Sequence, residues 1–296
     1  MGTVDSSGYG AITSVAVSRG GEVVIEEYFE GDAATLRNTR SCTKTVASML
    51  TGIAVERGIV PGVDASLVEL LDANVADPRK RGINIRDVLT MTSCLECNDW
   101  DETSLGNEER MYPQEDWVGF ALGLPVRETR EFSYCTAGVV ALGVALERAL
   151  GEPLPNFARR ELFAPLDVDE AEWQTTPMGQ VSTAGGLLLT SRSLLALGEL
   201  YLRGGDGVVE HAWVEESIRP HAEIDERTRY GYLWWLRRFG GEDCFYMSGM
   251  GGNRVHVFPG LELVAVITSS NFDRRDAHAL SDRLLEEQIL SRAEDL

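Results

Sequence analysis

Strand-forming segments stand at both ends of this chain and helix-forming segments fill its middle, an order that limits the possible folds more than any other feature. Residues 11–18 (AITSVAVS) and 22–29 (EVVIEEYF) are rich in strand-forming side chains, and Arg19-Gly20-Gly21 between them reads as a hairpin turn. Helical periodicity then takes over: Val46, Met49, Leu50 and Ile53 fall at i, i+3, i+4 and i+7, and Gly58 ends the pattern. A short helix is predicted over 85–92, with Asn84 as its cap and Asp87 three residues on. Further helices are predicted at 115–123, 137–150 and 191–203, the second stopped by Gly151 and Pro153. Strand character returns at 230–238, 244–248, 253–258 and 262–269, with Pro259-Gly260 as a turn, and a last helix covers 276–292. Strands joined by tight turns make an antiparallel sheet. The predicted fold class is therefore α/β (α+β). One antiparallel sheet takes strands from both ends, helices flank it, and a mostly helical lobe is inserted. On this reading residues 1–65 and 180–296 form the sheet domain and 66–179 the helical domain.

Charge narrows the partners. The formal net charge is −20, which disfavours nucleic acid and anionic lipid. Lys44 and Lys80 are the only lysines, against 25 arginines, a bias that either a GC-rich genome or adaptation to salt produces. A lysine at position 44 is thus less expected as background. The five cysteines, Cys42, Cys94, Cys97, Cys135 and Cys244, show no repeating framework and predict reduced thiols in a cytoplasmic setting. No stretch reads as a membrane span, and MGTVDSSGYG does not read as a secretory signal.

Three constellations carry chemistry. Ser41-Cys42-Thr43-Lys44 begins the first long helix. Residues three apart share a helix face, so the amine reaches the hydroxyl. Serine becomes a useful nucleophile once a base takes its proton, and N–H groups at a helix start suit an oxyanion. Alone, S-x-x-K arises often by chance, and its plain alternative is a capping serine beside a solvated lysine. Phe132-Ser133-Tyr134-Cys135-Thr136-Ala137-Gly138 precedes another helix, where a tyrosine can also simply pack its ring. Met247-Ser248-Gly249-Met250-Gly251-Gly252-Asn253 runs from one strand into the next, and its glycines permit close backbone approach.

In that order the three resemble the serine β-lactamase-like (penicillin-binding-protein-like) superfamily, whose members carry S-x-x-K, then Tyr-x-Asn or Ser-x-Asn, then a Lys/His-Thr/Ser-Gly strand. The resemblance extends through DVLTMTS at 87–93, FSYCTAGVVALGVALERALGEPL at 132–154, STAGGLLLTSRSLLALGELYL at 182–202 and YGYLWW at 230–235. It looks most like the esterase and 6-aminohexanoate-dimer-hydrolase branch. It implies a serine hydrolase with Ser41 as nucleophile, Lys44 and Tyr134 as its proton relay, and the N–H groups of Ser41 and Met250 as oxyanion hole. Thr136, Met247, Ser248 and Gly249 would bind substrate. Two positions depart from the family: Thr136 replaces an asparagine, and Met247 replaces a basic residue that commonly grips a substrate carboxylate. These departures point to esters or linear amides over β-lactams, and Met247→Lys is expected to raise β-lactam turnover relative to ester turnover.

The implied reaction is two-step acyl transfer on a small-molecule ester or amide, with no metal and no organic cofactor, and the oligomeric state is left open. Lys44 and Tyr134 have nearly matched ordinary pKa values of about 10, so either can be the base. A transacylase of the same fold and a non-catalytic binding or sensor protein are the rival readings. Cys94-Leu95-Glu96-Cys97 lacks the further ligands of a zinc site and reads as two structural thiols, with Cys42 and Cys135 pointing into packing. Asp99, Trp100, Asp101 and Glu102 read as a solvated acidic loop, with a place on the rim of the substrate cleft as the alternative. Of Trp234 and Trp235, which must face opposite ways along a strand, one belongs to the core. Segments 94–115 and 204–230 are expected to shape the cleft.

Overall fold

The computed structural model describes residues 3–295. The first hairpin is β1 (Ile12–Arg19) and β2 (Glu22–Tyr28), and β3 (Arg37–Asn38) leads into α1 (Cys42–Glu56). The helical middle holds α2 (Leu67–Leu70), α3 (Ile85–Leu89), α4 (Glu108–Met111), α5 (Trp117–Gly123), α6 (Thr136–Leu150) and α7 (Leu154–Ala158). Next come β4 (Glu172–Trp173), β5 (Leu187–Leu189), α8 (Ser191–Leu202) and α9 (His211–Ser217). The chain closes with β6 (Ala222–Glu223), β7 (Arg229–Tyr230), β8 (Trp235–Phe239), β9 (Glu242–Gly249), β10 (Asn253–Phe258), β11 (Leu263–Ser269) and α10 (Ala277–Leu284).

The two β-rich ends meet in one sheet of order β2-β1-β11-β10-β9-β8-β7-β6. Every neighbouring pair is antiparallel, and Val17 lies opposite Ala265 where the first and last strands join. The mixed fold with inserted helices is thus as the pattern predicts. The period of two along each strand divides the core. Ala16, Val255, Val264, Val266 and Met247 pack toward α1 and α8. Val15, Val17, Ala265, Ile267 and Tyr246 face the other way, onto Leu284, Leu285 and Ile289. Leu284 ends α10, and Leu285 and Ile289 lie in a wider helical turn after it, so the predicted 276–292 helix is α-helical only to Leu284 and then changes pitch.

Thirteen of the fifteen residues of α1 are buried, so it is clasped on all sides rather than along one stripe. That clasp fixes whatever its first turn carries. Asn84 and Asp87 form the reciprocal capping box that starts α3. The predicted strand at 230–238 is broken in two. Leu233 takes φ 59° and donates its N–H to the Leu89 carbonyl at 2.8 Å, so the chain leaves the sheet to meet α3 before β8 begins.

Candidate active site

Ser41 reaches the cleft through a forced turn. Arg40, immediately before it, has φ 51°, a left-handed conformation that non-glycine residues rarely adopt. Cys42 and Thr43 donate their N–H groups to the carbonyls of Thr39 and Arg40, while that of Ser41 has no acceptor among the described residues. Gly249 of β9 makes the turn possible. A Cβ there would lie 2.3 Å from the Thr39 carbonyl oxygen, so only glycine lets β9 come this close.

Lys44, one turn on, is 1% exposed. Its Nζ lies 3.0 Å from Ser41 Oγ and 2.6 Å from the Ala184 carbonyl oxygen. It also sits 5.0 Å from the centre of the Tyr134 ring. Tyr134 itself is buried. Burial raises its phenol above the ordinary tyrosine value, against the opposing pull of the Lys44 charge and the Ser41 hydroxyl. The structure thus brings Ser41, Lys44 and Tyr134 together.

An aromatic wall stands over this group. The Trp235 ring centre is 5.7 Å from that of Tyr134 and 6.1 Å from that of Trp100. Trp234 faces the opposite way, fully buried against Tyr201 and Phe245. Trp234 closes the kink at Leu233 and Trp235 opens β8, so one tryptophan lies in the core and the other at the site.

Ser41 lies in a cleft of about 230 Å³ whose walls include Arg40, Glu108, Tyr112, Trp117, Thr136, Gln174, Gly185, Gly186 and Met250. Thr136 and Met250 are where the sequence expects them. Met247, Ser248 and Gly249 are not. Met247 is 0% exposed and packs in the core beside Phe245 and Val255, because its register on β9 points it toward α1. Ser248, on the opposite face, accepts a hydrogen bond from the Arg254 guanidinium. Gly249 packs against Thr39 and does not line the cleft. Segment 204–230 does not line the cleft; residues from 174–186 do, beside Glu108 and Tyr112 from 94–115.

Glu108 went unrecognised in the sequence. Its carboxylate accepts from Tyr112 OH at 2.7 Å and from Thr136 Oγ1 at 3.1 Å. The available signal was Asn107, a capping residue before an acidic first turn. Asp99 departs from the solvated reading. Its carboxylate accepts from the N–H groups of Thr136 at 2.7 Å and Glu108 at 2.9 Å. Burial first, and the Glu108 charge second, push Asp99 up to about 6. Asp101 and Glu102 are exposed, as expected of that loop.

The cysteines also depart from expectation. Cys97 and Cys135 form a disulfide, where reduced thiols are predicted, and Cys94 keeps a free, buried thiol. Their separation of 38 residues hides the pairing in the sequence; the fold brings the Cα atoms to 5.4 Å. Cys42 does point into packing, and burial pushes its thiol up to about 12. No group of metal-holding side chains occurs among the described residues. No helix there is long and apolar enough to cross a membrane.

Residues 10–288 match the Beta-lactamase family. The chain belongs to that family. Solved structures of the same fold carry several descriptions. A protein described as a candidate 6-aminohexanoate-dimer hydrolase from Bacillus anthracis has a TM-score of 0.79 at 16% identity, covering 96% of this chain and 79% of its own. A penicillin binding protein from Bacillus halodurans has a TM-score of 0.75 at 17% identity, covering 93% of this chain and 97% of its own. EstCE1, a hydrolase with promiscuous acyltransferase activity, has a TM-score of 0.72 at 16% identity, covering 93% of this chain and 94% of its own. At these identities the likeness is one of fold. No curated protein matches the chain.

Proposed function

We propose that this member of the Beta-lactamase family is a serine hydrolase that cleaves small esters or linear amides through an acyl-enzyme on Ser41. The observation that carries the reading is the 3.0 Å contact between Lys44 Nζ and Ser41 Oγ, beside a buried Tyr134, at the edge of a cleft. Ser41 Oγ attacks the substrate carbonyl carbon and its proton passes to the Lys44–Tyr134 pair. A lysine whose N–H is engaged by the Ala184 carbonyl can turn a lone pair toward Ser41 when neutral. The Tyr134 phenol, held above its ordinary value, is suited to giving the proton to the leaving group. The oxyanion is received by the N–H groups of Ser41 and Met250. Water then attacks the acyl-enzyme by the reverse relay, so that ester plus water gives acid plus alcohol.

The cleft bears on substrate class. Its walls are mostly polar, with Arg40 and Glu108 as charged members. Such a site favours short, polar acyl groups over long apolar ones. The test is a panel of short-chain nitrophenyl esters and linear anilides, each assayed with and without added alcohol. Saturable ester or amide turnover that ends in free acid supports the hydrolase. Product passing mainly to the alcohol would make the protein a transacylase, and no turnover of any member would leave the binding-protein reading.

A further inference from the structure

The loop over Tyr134 has little regular structure between Cys94 and Asn107, yet it carries Asp99 and Trp100 and leads into Glu108. It is tied to the segment before α6 at successive points. Ser133 Oγ donates to the Cys97 carbonyl at 2.6 Å. Asp99 N–H donates to the Tyr134 carbonyl at 2.9 Å. The Thr136 N–H reaches the Asp99 carboxylate at 2.7 Å. Among these ties the Cys97–Cys135 disulfide is the covalent one, and it joins the residue next to Tyr134 to the residue two before Asp99.

Resting on the hydrolase reading, we infer that the Cys97–Cys135 disulfide is a positioning element for Tyr134, holding the phenol and its covering loop in register with Ser41 and Lys44. The neighbouring Cα atom is about 3.8 Å away, so fixing Cys135 confines Tyr134 to one place. Irregular loops open at little free-energy cost unless something ties them, and a crosslink removes that freedom. A displacement of about 1 Å at a reacting group can cost about a hundredfold in rate. Cys135 is also the cap of α6, its sulfur facing the Gly138 N–H at 3.4 Å and its own N–H facing the Met91 sulfur at 3.3 Å. Both cysteines are buried, so the closed loop shields the crosslink from solvent. Reduction by a dithiol passes two electrons and two protons to the disulfide, leaving thiols on Cys97 and Cys135 and a cyclic disulfide on the reagent.

The experiment compares oxidised wild type with the Cys97→Ala/Cys135→Ala variant on one nitrophenyl ester, after peptide mapping of the active wild type. Mapping is expected to find the two cysteines joined; full specific activity with both as free thiols would overturn the inference. The variant is expected to lose between about tenfold and a hundredfold in kcat with a smaller change in KM. Its alkaline ionisation should move down as Tyr134 becomes wetter. A folded variant with wild-type kcat and pH profile overturns the inference. If the variant does not fold, wild type refolded under dithiol is compared with wild type allowed to oxidise. A folded, reduced enzyme of low kcat supports the inference; equal kcat, or a reduced chain that does not fold, overturns it by making the crosslink a matter of stability alone. Absent turnover in oxidised wild type would overturn the hydrolase reading itself, a result distinct from retained turnover in the variant.

Discussion

Trp100 lies flat on Tyr134: their ring centres are 5.7 Å apart and their planes differ by 8°. Trp100 is nonetheless 57% exposed, so one face shields the tyrosine while the other meets solvent. The stack is part of the burial that raises the Tyr134 phenol. Trp100→Ala should therefore bring the alkaline ionisation of kcat/KM down toward the ordinary tyrosine value. A pH–rate profile with an unmoved alkaline limb would show that the stack does not control Tyr134.

In the proposed mechanism Lys44 and Tyr134 share the Ser41 proton. Lys44→Ala and Tyr134→Phe should each lower kcat by a large factor, on the order of a hundredfold or more. The double variant should be little slower than the worse single one, because groups that act as one relay are not additive. Losses that multiply in a double-mutant cycle of kcat/KM would mean two independent roles.

Asp99 makes stability depend on pH in a defined direction. Its folded value of about 6 stands above the ordinary 3.8, so the folded chain holds this proton more tightly than the unfolded one. Its contribution is fully present below about 3.8 and is lost as pH rises through about 6. Glu108 and Lys44 face the group with opposite effects, and the Thr136 and Glu108 N–H groups bond it. Relative to Asp99→Asn, the wild type should lose up to about 3 kcal/mol between pH 4 and 7. Urea unfolding of both proteins across that range checks it, and a constant difference in stability would contradict it.

Much of the fold was legible because strand alternation and helix periodicity are local patterns. The hairpin, α1, α6 and the return of strands followed directly from apolar spacing. The Ser41–Lys44 pairing followed from one helical turn, and Tyr134 from its place before α6. What escaped depends on contacts between distant segments. The Cys97–Cys135 bond, the burial of Asp99 and the place of Glu108 all arise where loop 94–107 folds back on α6. Met247 was misassigned because a motif position gives a place along the strand, whereas the register of β9 against β10 decides which way its side chain points.

That correction reverses one expectation. Met247→Lys would put an ammonium among Phe245, Val255 and the α1 core, with no new cation in the cleft. It should destabilise the protein by about 3–5 kcal/mol, as an unpaired buried charge does. Urea unfolding of the variant measures this, and a stable variant with faster β-lactam turnover would restore the original role of position 247.

The proposed preference for esters over β-lactams rests on the cleft itself. No residue at 247 supplies a cation, Thr136 is committed to Glu108, and the formal net charge of −20 opposes anionic drugs. kcat/KM for a short-chain nitrophenyl ester should exceed that for a chromogenic cephalosporin. The reverse order would contradict this, and Arg40→Ala would then test whether the arginine in the cleft wall grips the drug carboxylate.

The central claim is that Ser41 is a nucleophile activated where it stands. Intact-protein mass spectrometry after exposure to a fluorophosphonate tests it most directly, with wild type, Ser41→Ala and heat-denatured wild type side by side. The account predicts one adduct on native wild type, mapped to Ser41, and none on the folded Ser41→Ala variant or the denatured chain. A native wild type that stays unlabelled, or an adduct that persists in Ser41→Ala, would contradict it.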